Sequence, residues 1–258
     1  MHSAFKITFL GTGTSQGVPV IGSDHPVCHS KDPRDKRLRV SIMIQWDGFT
    51  YVVDCGPDFR QQMLNHPIKR LDGILFTHEH ADHTAGIDDI RPFFFRQGDI
   101  PIYAHDRVVK ELQHRFGYIF NDKDRYPGAP SVAINRVDKD SVFMLKNQPV
   151  IPIEASHNRI KVLGYRLDDF TYLTDVKTMA HEELEKVRGT RVLVINALRR
   201  EPHHSHFNLE EALQFVATIQ PERAYFTHIS HLMGFHEEVE ATLPKNVFLA
   251  YDNLTITL

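Results

Sequence analysis

The stretch His78-Glu79-His80-Ala81-Asp82-His83 decides how the rest of the sequence is interpreted. Three imidazoles and the carboxylate of Asp82 stand here within six residues, directly after an apolar run at residues 73–77 that is typical of a strand. On a helix these side chains would point around the axis, whereas in a tight loop after a strand they can converge. Such a cluster without a cation would lose stability through desolvation and repulsion. The stretch therefore predicts a metal site.

One loop does not complete such a site, because zinc and similar ions take about four to six nitrogen or oxygen ligands. Further candidates stand where other predicted strands stop: His157, Asp175 and His228. Taken alone, each is more typical of a structural residue than of a ligand. Together with the loop they favour two neighbouring ions over one.

The sequence also contains a faint internal echo. Phe76-Thr77-His78 is repeated as Phe226-Thr227-His228, and the runs 51–54 and 172–175 both begin with Tyr and end with Asp. This pattern suggests that two halves each deliver polar groups from their strand ends, although short strand endings also recur by chance.

Composition indicates an ordinary soluble globular protein. The 258 residues are 41% hydrophobic and 24% charged, and they predict one domain over 1–258 that buries roughly 70% of its unfolded surface. The net charge of -3 argues against a sequence-blind polyanion binder. Two cysteines, Cys28 and Cys55, make no disulfide framework and favour a reducing compartment. No signal peptide and no apolar run of about 20 residues is seen, so we expect a cytoplasmic protein with no membrane partner.

Apolar periodicity predicts mixed strands and helices. Predicted strands cover residues 5–10, 40–46, 50–54, 73–77, 100–104, 150–154, 162–167, 172–174, 192–196 and 224–227. Asp47-Gly48 predicts a tight hairpin turn, and helices are expected after Asp106 and over 182–187. The strongest helix signal is residues 208–220, where Asn208 and Glu211 form a capping-box pattern and Pro221 ends the helix.

The order and strand-end placement of these residues resemble the metallo-β-lactamase superfamily of binuclear metallohydrolases. The resemblance implies one α/β (α+β) domain over 1–258, folded as a four-layer αββα sandwich of two mixed β-sheets flanked by helices. It also implies that one ion is held by His78, His80 and His157, that the other is held by Asp82, His83 and His228, that Asp175 bridges both, and that Asp54 orients a ligand histidine or the loop.

Three further stretches resemble the ribonuclease Z-like phosphodiesterases within that superfamily, and among these the phosphoribosyl 1,2-cyclic phosphate phosphodiesterases most of all. They are residues 11–19, 206–212 and 227–231. The resemblance implies hydrolysis of a small, cyclic phosphodiester by a hydroxide held between two zinc or manganese ions, with Asp82 steering the attack. His206 would stabilise the developing charge or protonate the leaving oxygen, beside a helix N-terminus that favours phosphate.

One loop departs from the pattern of these relatives, which carry a structural zinc on a Cys-x-Cys-x-x-Cys loop. Here residues 23–28 retain only Cys28. His25, Cys28 and His231 can still bind a third, structural zinc together with a water or a fourth side chain. The alternative is that the loop packs without metal, with Cys28 as a small buried residue.

Several alternatives remain open at this point. Arg91 is a candidate substrate contact, although an arginine beside an aromatic run more often packs its stem on the core. A tRNA 3′-end processing endonuclease is the second candidate function, but it calls for a basic arm, and residues 31–39 are basic but short. Further candidate functions are acyl chemistry and a non-catalytic metal-binding module. The chain is also a candidate homodimer.

Overall fold

Two mixed β-sheets form the centre of the computed structural model, which describes residues 5–121 and 125–258. The first sheet contains β1 (Lys6–Gly11), β2 (Ser41–Trp46), β3 (Phe49–Val53), β4 (Gly73–Leu75), β5 (Ile100–Ala104), β6 (Val132–Arg136) and β14 (Thr255–Thr257). The second contains β7 (Phe143–Leu145), β8 (Gln148–His157), β9 (Ile160–Leu167), β10 (Phe170–Tyr172), β11 (Val192–Asn196), β12 (Arg223–Thr227) and β13 (Val247–Leu249).

The two sheets have the same pattern of antiparallel and parallel strand pairs. Their orders are β14-β1-β2-β3-β4-β5-β6 and β13-β12-β11-β10-β9-β8-β7. In the first sheet the pairs up to β3 are antiparallel and the pairs from β3 to β6 are parallel. In the second sheet the same change occurs at β10. Asp54 and Asp175 follow β3 and β10. The repeated runs 51–54 and 172–175 therefore lie at equivalent positions in the two sheets.

Helices cover the outer face of each sheet, which confirms the αββα sandwich. They are α1 (Phe59–Asn65), α2 (Ala81–Thr84), α3 (Arg91–Gln97), α4 (Asp106–Arg115), α5 (Gly117–Phe120), α6 (His181–Val187), α7 (Leu209–Ile219) and α8 (His236–Glu240), with short 3-10 turns at Pro26–His29, Pro33–Asp35, Ile87–Ile90 and His231–Met233. One apolar cluster lies between the sheets, and two others join the sheets to helices. No helix in the described part of the chain is long and apolar enough to cross a bilayer.

The strongest local predictions are confirmed. Asn208 accepts from the backbone amide of Glu211, and the Glu211 side chain accepts from the Asn208 amide, which completes the capping box of α7. In the hairpin between β2 and β3, Asp47 and Gly48 have φ values of 46° and 81°, as a tight turn of the primed type requires.

Candidate metal centre

The loop that carries the predicted ligands is clamped between the sheets. It leaves β4 and ends in the single turn of α2. From the second sheet, the amide of Leu163 donates to the carbonyl oxygen of Thr77 at 2.9 Å, and the hydroxyl of Tyr165 donates to that of Phe76 at 2.6 Å. These bonds fix the start of the loop against β9.

The remaining candidates reach the same place from strand ends. His157 is the last residue of β8, while Asp54, Asp175 and His228 each follow a strand. The last three have left-handed backbones, with φ values of 64°, 59° and 56°. A non-glycine residue seldom adopts this conformation, and it concentrates at functional sites. The chain therefore turns sharply at three positions around one point.

The structure brings all seven predicted ligands together. Ligand atoms lie within 4.8 Å of one another in four groups of three: His78, His80 and His157; His78, His83 and Asp175; Asp82, His83 and His228; and His157, Asp175 and His206. The first and third groups are the two sets implied by the resemblance. Asp175 shares a group with members of both.

Imidazole nitrogens and carboxylate oxygens face one another at short range in the centre. His83 Nε2 lies 3.3 Å from Oδ2 of both Asp82 and Asp175. His228 Nε2 lies 3.3 Å from Asp175 Oδ1 and 3.7 Å from Asp82 Oδ2. The Asp82 side chain is 12% exposed and the Asp175 side chain only 2%. Asp82 therefore lies on the more accessible side of the centre.

Asp54 sets the orientation of two of the predicted ligand histidines. Its Oδ2 accepts from His83 Nδ1 at 2.7 Å and from the hydroxyl of Thr77 at 2.8 Å. Because this hydroxyl donates to Asp54, its oxygen is free to accept from His78 Nδ1, 3.0 Å away. Both imidazoles are thus held with Nε2 facing the centre. A carboxylate in this position is the usual partner of a metal-binding histidine.

His157 is oriented by the backbone instead. Its Nδ1 donates to the carbonyl oxygen of Ser205 at 2.8 Å, because a carbonyl can only accept. The proton therefore resides on Nδ1, and Nε2 presents its lone pair. Thr77 and the Ser205 carbonyl were missed as orienting groups in the sequence. The Phe-Thr-His echo pointed to Thr77, whereas nothing in the sequence identifies a particular carbonyl.

Electrostatics in the centre follow from burial and proximity. Burial lowers the pKa of His78 well below its usual value. Burial also opposes the charged form of His83, yet the carboxylates of Asp82, Asp175 and Asp54 hold its pKa well above the ordinary range. The pKa of Asp175 lies well below its usual value, because the neighbouring imidazoles outweigh its burial.

The donor set fits divalent cations. Buried nitrogens without a hydrogen-bond partner include His83 Nε2, both ring nitrogens of His228, and His206 Nδ1. Leaving such an atom unpartnered costs roughly 1–3 kcal/mol. Imidazole and carboxylate groups are the ligands that zinc and manganese accept. Coordination would satisfy His83 Nε2 and one ring nitrogen of His228.

His206 joins the centre from the segment before α7. Its Nδ1 lies 3.6 Å from Asp175 Oδ1, and its ring stands 4.5 Å from that of His157 and 4.8 Å from that of His228. Burial lowers its pKa to about 2, so the imidazole is neutral near pH 7. The nearby helix N-terminus is less open to phosphate than expected, because the capping box uses two of its amides and Glu210 adds negative charge.

The other predicted residues lie outside this centre. The rings of His25 and His231 are 5.0 Å apart, and His231 Nδ1 is buried without a partner. Cys28 is buried and belongs to none of the ligand groups found in the described part of the chain. The third zinc therefore stays a prediction.

The guanidinium of Arg91 is hydrogen-bonded to neighbouring residues. Its guanidinium donates to both carboxylate oxygens of Asp88, to the carbonyl of Gly128 and to the hydroxyl of Tyr126. Every nitrogen of the side chain thus has a protein partner, and a substrate contact at Arg91 stays a prediction.

We expect Asp54→Asn to lower kcat/KM by about 10- to 100-fold, the usual effect of losing a carboxylate that orients a ligand. Asparagine tolerates the left-handed backbone at this position, so the fold should persist while His83 and His78 lose their orientation. Activity and metal content would be measured side by side. Asp47→Asn, the same exchange at another left-handed aspartate in an exposed turn, is the control. Full activity in Asp54→Asn would contradict the orienting role.

Comparisons with known proteins agree with this fold. Residues 50–229 match the family described as Beta-lactamase superfamily domain. A curated octanoyltransferase of Porphyromonas gingivalis is 39% identical over 251 residues, which are 96% of this chain and 51% of that protein. The chain thus spans about half the length of this relative. A ribonuclease Z of Methanococcus maripaludis is 29% identical over 127 residues, 47% of this chain and 36% of the relative.

Solved structures extend the likeness to the whole chain. A crystal structure described as a new diphosphatase from the PhnP family has a TM-score of 0.92 and 38% identity, covering 99% of this chain and 97% of that one. The short form of human tRNase Z has a TM-score of 0.68 at 18% identity, covering 97% and 98%, and this likeness shows the fold alone. Since the family match spans well over half of the residues, the chain belongs to the metallo-β-lactamase superfamily, with ribonuclease Z-like relatives.

Proposed function

We propose that the protein is a binuclear metal-dependent phosphodiesterase that hydrolyses a small, cyclic phosphodiester. The observation that carries the proposal is the pairing of two ligand groups around Asp175, which lies within reach of His78 and His83 as well as of His157 and His206. Two divalent cations bound there supply Lewis-acid stabilisation of a phosphoryl oxygen and an activated water at neutral pH. They also give a chain of net charge -3 a local positive charge for an anionic substrate.

The residues around the ligands have distinct roles in this proposal. Asp82 has the more exposed carboxylate, and neighbouring imidazoles hold its pKa below the usual range despite burial. An ionised carboxylate here accepts a hydrogen bond from the attacking water and aligns it. His206 is neutral and adjoins Asp175, so it can donate a hydrogen bond to a phosphoryl or leaving-group oxygen without costing a buried charge.

Relatives favour phosphorus chemistry over acyl transfer. The match with the diphosphatase covers nearly the whole length of both chains. Further relatives are named ribonuclease Z. The octanoyltransferase is about twice as long as the matched region, so its name does not describe this half alone. Both cysteines of this chain are buried, and burial raises the pKa of Cys55 well above its ordinary value. A thiol in that state is a poor nucleophile.

Turnover assays with three substrates test the proposal. Purified protein would be incubated with adenosine 2′,3′-cyclic phosphate, with bis-p-nitrophenyl phosphate and with a precursor tRNA. We expect hydrolysis of the small diesters and loss of that activity on chelation, restored by zinc or manganese. Cleavage of the tRNA alone would favour the processing endonuclease. Tight metal binding with no turnover of any of the three would favour a binding module.

Elemental analysis of the same preparation measures the metal stoichiometry. We expect about two ions per chain from the catalytic ligands, and about three if His25, Cys28 and His231 hold a structural zinc. Cys28→Ser separates the two cases, because it removes a thiolate ligand from the loop and leaves the centre untouched. An unchanged metal content in Cys28→Ser would exclude Cys28 as a zinc ligand.

A further inference from the structure

The hydroxyl of Thr174 holds the carboxylate of Asp175 in one rotation. It donates to Oδ2 of Asp175 at 2.7 Å, and Thr174 is only 1% exposed. An ionised carboxylate can only accept, so the single proton of this hydroxyl is directed at Asp175. Each carboxylate oxygen has two lone pairs, so Oδ2 can still face a cation. The bond therefore orients the carboxylate without blocking it.

The carboxamide of Asn196 holds the next residue, Val176, by both of its backbone polar groups. The oxygen of this carboxamide accepts from the Val176 amide at 2.6 Å, and its nitrogen donates to the Val176 carbonyl at 3.1 Å. Asn196 is fully buried, so water does not compete for these bonds. They support the sharp turn at Asp175, whose left-handed φ of 59° is uncommon for a residue other than glycine.

The place of Asn196 in the second sheet explains its reach. It is the last residue of β11, which pairs in parallel with β10 on one side and with β12 on the other. The chain leaves β10 toward Asp175, and Thr227, the partner of Asn196 on β12, directly precedes His228. The end of β11 thus lies between two strands that deliver predicted ligands, and it carries a neutral amide instead of an ionisable group.

We propose that Thr174 and Asn196 are positioning residues for the carboxylate of Asp175. The hydroxyl fixes the rotation of the carboxylate, and the carboxamide fixes the peptide that presents it. This inference rests on the proposed function, in which two cations share Asp175. A shared carboxylate has to keep both oxygens in set directions, and here Oδ1 faces His228 while Oδ2 faces His83, each at 3.3 Å. Partners that orient a ligand in this way typically contribute about 10- to 100-fold to metal affinity or activity.

Matched threonine variants test the role of the hydroxyl. Thr174→Val keeps the shape of the side chain but removes the donor, whereas Thr174→Ser keeps the donor. We expect Thr174→Val to lower the zinc affinity of the chelator-treated protein, measured by calorimetry, by about 10- to 100-fold. The kcat/KM for bis-p-nitrophenyl phosphate should fall with it. Thr174→Ser should restore most of both.

The visible spectrum of the cobalt-substituted protein gives a second measurement, because it reports ligand geometry and not stability. We expect it to change in Thr174→Val and to return toward the wild-type spectrum in Thr174→Ser. Thr171→Val is the control, since Thr171 is a fully buried residue of β10 whose hydroxyl pairs with that of Thr190. This control should lower the melting temperature and leave the zinc affinity and the cobalt spectrum unchanged.

Asn196→Asp tests the carboxamide. Aspartate keeps the size and the oxygen that accepts from Val176, but its ionised form cannot donate to the Val176 carbonyl. We expect zinc affinity to fall by about 10- to 100-fold and the cobalt spectrum to change. Asn246→Asp, the same exchange at an exposed asparagine before β13, should have neither effect. If the buried aspartate prevents folding, the Thr174 variants decide the inference.

Unchanged zinc affinity and an unchanged cobalt spectrum in Thr174→Val would overturn the positioning role. Equal losses in Thr174→Ser and Thr174→Val would also overturn it, because the hydroxyl would then be irrelevant. These readouts are independent of turnover. If the wild type binds zinc but hydrolyses no diester, the proposed function fails, and the affinities and spectra still decide whether Thr174 and Asn196 hold Asp175.

Discussion

Replacing Asp175 by asparagine is expected to lower kcat/KM by at least about 10³-fold. Asp175 is buried at the junction of the ligand groups, with Oδ1 facing His228 and Oδ2 facing His83, each at 3.3 Å. Asparagine keeps the size and tolerates the left-handed backbone, but it removes the charge that would hold cations at this point. A loss of about 4 kcal/mol of transition-state stabilisation corresponds to such a fall. Kinetics and elemental analysis of the purified variant would measure it.

The matched control for this variant is Asp168→Asn. Asp168 is an exposed residue before β10 and has a left-handed φ of 52°, so the same exchange occurs at the other end of the same strand. We expect wild-type activity and metal content there. An Asp175→Asn variant that retained both its metal and its activity would refute the bridging position of this carboxylate.

His206→Asn is expected to lower kcat by about 10²- to 10³-fold, the usual cost of removing a donor aimed at developing charge. The metal content should remain that of the wild type, because the seven other groups persist. Elemental analysis is essential here, since the ligand atoms of His206, His157 and Asp175 also lie within 4.8 Å of one another.

Two results would contradict the catalytic assignment of His206. A fall in metal content parallel to the fall in activity would make it a ligand, and unchanged kcat would remove it from the reaction. His181→Asn tests whether losing an exposed imidazole has any general effect. A leaving group of higher pKa should widen the loss in His206→Asn if this residue protonates the leaving oxygen.

The sequence predicted the inner strands well and the edges poorly. All four strands without a sequence signal, β6, β7, β13 and β14, are edge strands. Three of them have only three residues, which is too short for any periodicity, and β6 is largely exposed. Central strands are buried on both faces by the helices and the opposite sheet, so their apolar runs are long enough to recognise.

The convergence of the predicted ligands could be anticipated for the same physical reason. Its ligands stand at the ends of inner strands, and the carboxyl ends of parallel strands meet along one side of a sheet. The groups that orient the ligands were harder to find. The Ser205 carbonyl has no sequence signal, and the contacts of Arg91 with Gly128 and Tyr126 depend on a segment that only the fold brings near. The Phe-Thr-His echo was partly misleading, because His78 follows β4 and His228 follows β12, which are not equivalent strands in the two sheets.

The loop at residues 78–83 belongs to the first sheet, whereas His157, Asp175 and His228 belong to the second. A cation shared by these ligands would therefore cross-link the two sheets of the sandwich. Both thiols of the chain are unbridged, so coordinate bonds would take the place that cystine occupies in secreted proteins. Loss of the metal would then lower the stability of the whole fold as well as abolish activity. The apoprotein would be the form most open to degradation.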